Sequence, residues 1–202
     1  MPRSRTVALF VLVSVAACAK KEASSDSARL ADSAAAASNM NPPAATAAAD
    51  TAPAMTDANI VFILDQANAA DSARGTLASS KGTNADVKSF GKLMVGEHHA
   101  LRAQGQTLAK KLNVTPQAPA NDQSETQAKQ EMDSLNALAK GAAWDKAYIA
   151  YEVGYHQAVM DIATKALAAA QNAELKALIQ QAAPVIQKHL DRAKEIQGKL
   201  GA

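Results

Sequence analysis

The chain predicts an all-α protein, an up-down four-helix bundle with a short connector helix. Three observations carry this. From Thr56 onward apolar residues recur at alternating steps of three and four, and no stretch shows the two-residue alternation of a half-buried strand. Capping residues and breakers divide that region into five segments. Alanine supplies 49 of the 202 residues while aromatics make up 3%. Such a composition favours helix without burying much surface per residue, enough for one modest core.

The N-terminal quarter has a different character. Met1 to Arg5 is basic, Val7 to Val15 is apolar, and Val15-Ala16-Ala17 leads into Cys18, the only cysteine. A charged start, a short apolar run and small residues before a cleavage point are the marks of a secretory signal, here residues 1–17. The run is shorter than the roughly 20 residues a permanent membrane helix needs. Val-Ala-Ala-Cys resembles the lipobox of bacterial lipoproteins, which implies that Cys18 is acylated and becomes the first residue of the mature chain. Ala19 at the next position, where an aspartate often marks retention at the inner membrane, points to the outer membrane facing the periplasm. The expected membrane partner is therefore met through a lipid. Residues 18–55, rich in Ala, Ser, Asp and Thr with Pro42, Pro43 and Pro53, have no periodic apolar face and read as a disordered tether. Removing Arg3 and Arg5 from 21 basic residues leaves 19 against 19 acidic ones, which excludes a broad nucleic-acid footprint.

The bundle is expected over residues 56–200. Thr56 or Asp57 caps a first helix to about Ser80, and Lys81 to Asn84 forms a turn. Thr83 with Asp86 has the spacing of a capping box opening a second helix to about Asn113, which Pro116 and Pro119 end. Asn121-Asp122 opens a shorter helix ending at Lys140-Gly141. A fourth runs from about Ala143 to Ala170, Gln171-Asn172 turns, and a fifth runs from Ala173 to near Lys199 with Pro184 inside it, where a kink is expected.

Each long helix carries an ionisable residue on its apolar seam. The second reads Val87, Gly91, Met94, His98, Leu101, Gly105, Leu108; the fifth reads Leu175, Leu178, Ala182, Val185, His189, Ala193, Ile196. The fourth carries Tyr148, Glu152, His156 and Val159, and in the first Asp71 interrupts Ile60, Leu64, Ala67 and Leu77. His156 lies sixteen residues before Asn172 and His189 seventeen after it, so an antiparallel pair holds them at one level. His98 lies sixteen residues after Gly82 and Asp71 eleven before it, an axial offset of about 7–8 Å that leaves Asp71 the outlier of the layer. His99 points off the seam toward solvent.

Ala67 to Asp71, Gly75 to Ala78, Val87 to Phe90, Met94 to His98, Tyr148 to His156 and Pro184 to Leu190 together resemble the secreted family called domain of unknown function 4142. The resemblance covers residues 57 to about 197. It implies a ferritin-like four-helix bundle, often behind an export signal, and brings no established activity.

Two accounts of the histidines remain open. In the first, His98, His156 and His189 are buried imidazoles hydrogen-bonded to Asp71, Glu152, Tyr148 or each other, and the protein is a lipid-anchored, non-enzymatic structural, stress-related or binding module. This account is favoured. In the second, the layer of His98, His156, His189, Glu152 and Asp71 holds a single transition-metal ion in a redox or storage protein. A ferroxidase-type di-iron centre needs Glu three residues before His on two helices. Val95, Gly96, Val153 and Ile186 stand there instead. No Cys-x-x-Cys-His, phosphate loop or Gly-x-Ser-x-Gly elbow is present, so no catalytic residue is assigned. Protein or small-molecule partners are not legible.

Overall fold

The structure, a computed structural model, describes residues 55–201. The signal at 1–17, Cys18 and all of the expected tether except Met55 lie outside the described residues. Five helices follow in order: α1 (Asp57–Lys81), α2 (Ala85–Lys111), α3 (Ser124–Ala137), α4 (Ala142–Ala169) and α5 (Ala173–Leu200). Among the described residues there is no strand, and no helix is long and apolar enough to cross a membrane. The protein is an all-α bundle.

Local chemistry explains the starts and stops. Thr56 caps α1 in a reciprocal capping box, its hydroxyl accepting from the Asn59 N–H while Asn59 Oδ1 accepts from the Thr56 N–H. At α2 the expectation is corrected: Asn84, not Thr83, is the cap, accepting from the Asp86 and Val87 amides. Thr83 instead gives its amide and hydroxyl to Asp145, 62 residues away on α4, a tertiary contact that local spacing does not encode. Asn113, with φ of 52°, ends α2 in a left-handed turn; its amide donates to the Lys110 carbonyl and the Val114 amide to Ala109. Asn172 caps α5, which runs through Pro184 without a break; the missing proline N–H leaves the Gln180 carbonyl without its helical donor.

Two carboxylates staple opposite ends of the bundle. Asp57 accepts from the Gln171 and Asn172 amides at 2.8 and 3.0 Å, joining the start of α1 to the α4–α5 turn. Asp145 accepts from the Thr83 and Asn84 amides at 2.9 and 2.8 Å, joining the start of α4 to the α1–α2 turn. The Lys81 ammonium meets the last carbonyls of α3 at that same end, donating to Leu135 and Asn136. Successive helices therefore alternate in direction. Because α3 carries the chain back, the long helices α2 and α4 run parallel, the single long crossover that ferritin-like bundles use.

The core is layered along the bundle axis. Phe90, Met94, Trp144, Tyr148, Ala193 and Ile196 pack toward the α1–α2 turn. Ile60, Val61, Ala109, Ala166, Leu175 and Ile179 pack toward the α4–α5 turn. Between these apolar clusters lie Asp71, Arg74, His98, Glu152, His156 and His189, each at most 1% exposed. The α1–α2 pair is drawn close by facing glycines. A Cβ on Gly75 would lie 2.6 Å from the Gly91 carbonyl oxygen, and one on Gly91 would lie 2.7 Å from that of Gly75. Gly105, also on the expected seam, meets nothing within 4 Å and plays no such part.

Candidate metal centre

The polar layer draws one residue or more from each long helix: Asp71 and Arg74 from α1, His98 from α2, Glu152 and His156 from α4, His189 from α5. All five residues expected in it are brought together. Asp71 is not the outlier that counting from the turn suggests, since its Oδ2 stands 3.6 Å from His98 Nε2. Helical side chains lean toward their own N-terminus. Asp71 therefore leans away from the α1–α2 turn and His98 toward it, which closes the axial gap. His99 is exposed.

The histidines are not hydrogen-bonded to one another or to Tyr148; His156 does meet Glu152, with the carboxyl Oε2 3.4 Å from its Nδ1, and His98 stands 3.6 Å from Asp71. One nitrogen of each ring meets a pure acceptor. His98 Nδ1 lies 2.8 Å from Asn68 Oδ1, and the Asn68 amide is oriented by its own Nδ2 donating to the Leu64 carbonyl at 2.7 Å. His156 Nδ1 lies 2.9 Å from the Glu152 backbone carbonyl, and His189 Nε2 lies 2.6 Å from Glu97 Oε2. An acceptor on one side forces the proton onto that nitrogen. His98 Nε2 and His156 Nε2 are then left with bare lone pairs, and these two and His189 Nδ1 are all buried without a hydrogen-bond partner.

These rings are packed against each other, with centroids 5.0 to 5.8 Å apart. One donor nitrogen from each lies within 4.8 Å of the others. Ligands of a tetrahedral ion at about 2.0–2.1 Å stand about 3.4 Å apart, so the rings need to draw in by at most about 1.4 Å to share one. Burial and the neighbouring positive groups hold His98 neutral, lowering its pKa to about 4, and lower His156 for the same reason. Neutral imidazole is the form that coordinates.

Arg74 was not anticipated and organises the carboxyl side. Its guanidinium is fully buried, donating to Asp71 Oδ1 at 2.6 Å and to Glu152 Oε1 at 3.1 Å. It lies 3.9 Å over the Tyr155 ring and 4.8 Å from that of Tyr151. One signal for it existed. Ile60, Leu64, Ala67, Asp71, Arg74 and Ala78 step by four and three without interruption, so Arg74 occupies a seam position. Glu97 and Asn68 sit beside rather than on the seams, and nothing in the pattern marks them. Glu152 keeps Oε2 unpartnered, and burial pushes its carboxyl up to about 8 despite Arg74. Tyr148, an expected histidine partner, stacks on Trp144 at 5.3 Å and its hydroxyl makes no hydrogen bond.

A cavity of about 800 Å³ opens onto this layer, with Asp71 and His98 on its wall beside Tyr151, Tyr155 and Ile186. Glu152, His156 and His189 lie behind that wall.

The chain matches the family model described as Domain of unknown function (DUF4142) over residues 42–196, and it belongs to that family. No curated protein and no solved structure matches it.

Proposed function

We propose that this member of the DUF4142 family is a lipid-anchored envelope protein whose helical bundle binds one transition-metal ion. His98, His156 and His189 supply imidazole donors, with Asp71 or Glu152 completing the set. One observation carries the reading: three buried imidazole nitrogens are unpartnered, and each ring is oriented by an acceptor on its far side. Metal-ligating histidines are commonly held this way, the far ring nitrogen donating to a carboxylate or carbonyl that fixes the ring's orientation. A purely structural layer would pair those nitrogens, because a buried polar atom without a partner costs about 1–3 kcal/mol. Imidazole donors suit Zn, Cu, Fe or Ni.

The envelope location rests on the basic start, the short apolar run and the lipobox-like Val15-Ala16-Ala17-Cys18. Together they support a binding module held at a membrane surface. No reaction is assigned to it.

Elemental analysis of protein purified without a histidine tag tests the metal reading. Close to one equivalent per chain is expected, lost on dialysis against chelator and regained on adding zinc or cobalt, with a matching rise in melting temperature. The His156→Ala variant should neither hold the ion nor respond to chelator. A wild type that stays metal-free under saturating zinc, copper, iron and cobalt would leave only the structural account.

A further inference from the structure

The layer contains not one donor triad but two. His98, His156 and His189 form the first; Asp71, Glu152 and His156 form the second, with donor atoms again within 4.8 Å of one another. The triads share His156, whose single free nitrogen can serve only one ion at a time, so a second ion in the adjoining position would rest on the Asp71 and Glu152 carboxyls. Only the second is already engaged. Arg74 places one N–H on Asp71 and another on Glu152, bridging the two carboxyls that such an ion would bridge.

We infer that Arg74 is a built-in cation standing in for the second metal, so that the bundle holds one ion and one guanidinium where its donors would otherwise take two ions. This deepens the metal reading and rests on it. Three features fit a permanent charge rather than a passing contact. Arginine stays protonated in any protein environment. Its guanidinium is fixed on several sides, by two carboxyls, by Glu131 at 3.5 Å and by the Tyr151 and Tyr155 rings. The buried charge also stays small with a single ion. Asp71 and Glu152 contribute two negative charges at most and Arg74 one positive, so one divalent ion takes the sum from minus one to plus one. A second divalent ion beside Arg74 would raise it to plus three, with only the partly exposed Glu131 and Glu97 carboxylates to offset it, at a heavy desolvation cost. The consequence is a class of chemistry excluded: two-metal activation of a bound molecule between paired ions is closed to this chain while Arg74 is present.

The test is the stoichiometry of cobalt(II) bound by the full chain, read by visible absorption and elemental analysis, in wild type, Arg74→Gln and Arg74→Gln/Glu152→Gln. Wild type should take one equivalent, Arg74→Gln two with magnetic coupling between them, and the double variant one. Arg74→Gln that folds by circular dichroism yet takes one ion overturns the inference, as does a wild type that takes two coupled ions. If Arg74→Gln is unfolded when metal-free, cobalt should restore it at two equivalents. Failure to refold under saturating cobalt also counts against the inference. A wild type that takes no cobalt defeats the metal reading itself, which separates the two failures.

Discussion

Replacing Arg74 by Met removes the one fixed positive charge from the buried layer while nearly preserving side-chain length. Two buried carboxyls lose their donor, Asp71 at 2.6 Å and Glu152 at 3.1 Å. Hydrogen bonds to charged groups contribute about 1.5–3 kcal/mol each. The two cation–π contacts add about 0.5–2 kcal/mol more. Against this stand the relief of Arg74's own desolvation and the ability of Glu152 to stay protonated. Breaking a buried pair by removing one partner costs about 3–5 kcal/mol, and the lower half of that range is expected here. Urea denaturation of chelator-stripped protein at pH 7 measures it. The control is Arg102→Met. Arg102 pairs with Asp65 at 2.9 Å on the surface, both side chains partly exposed, and its loss should cost under about 1 kcal/mol. Equal costs for the two variants would show that the buried network contributes no more than a surface pair.

Other perturbations have expected outcomes of their own. Gly75→Ala forces a Cβ to 2.6 Å from a backbone oxygen and should cost about 1–3 kcal/mol by overpacking, whereas Gly154→Ala, facing open space on α4, should gain about 0.5–1 kcal/mol of helix propensity; thermal denaturation that ranks them the other way refutes the close α1–α2 contact. The Glu152 carboxyl, raised in the folded protein to about 8, makes the metal-free domain bind a proton that the unfolded chain has released. Its contribution is therefore present at low pH and lost as pH rises through 8, about 2 kcal/mol between pH 6.5 and 8.5 at 1.36 kcal/mol per unit. Below pH 6.5 the lowered His98 works in the opposite direction and levels the curve. Glu152→Gln should abolish the upper slope, and a metal-free wild type equally stable at both pH values contradicts it. Mass measurement of the mature protein should find a diacylglyceryl group on Cys18, and Cys18→Ser should lose the membrane fraction; an unmodified chain beginning at Ala19 or later rules out the anchor.

The helices were legible because their signals are local. Thr56, Asn172, Pro116 and the alternating steps of apolar residues act within a turn or two of where they stand. The cap of α2 was misplaced because Asp145 reaches it from another helix. The histidines could be found by register alone, since one turn of sequence in each helix maps to one level of the bundle. Asp71 needed side-chain direction as well as axial position. Arg74 was overlooked because a long cation is ordinarily solvent-facing, although the step from Asp71 to Ala78 passes through it. Which nitrogen of each ring is free could not be read at all: it depends on Asn68 and Glu97, which lie off the seams, and on the backbone carbonyl of Glu152, which no side-chain pattern marks.

The central claim is that three unpartnered imidazole nitrogens share one ion. Crystals grown with cobalt(II), with data collected on either side of its absorption edge, test it most directly. The account predicts a single internal anomalous peak at about 2.0–2.2 Å from His98 Nε2, His156 Nε2 and His189 Nδ1, with Asn68, Glu97 and the Glu152 carbonyl still holding the far nitrogens. A bundle without an internal peak, its histidines bonded to each other or to ordered water, would contradict it.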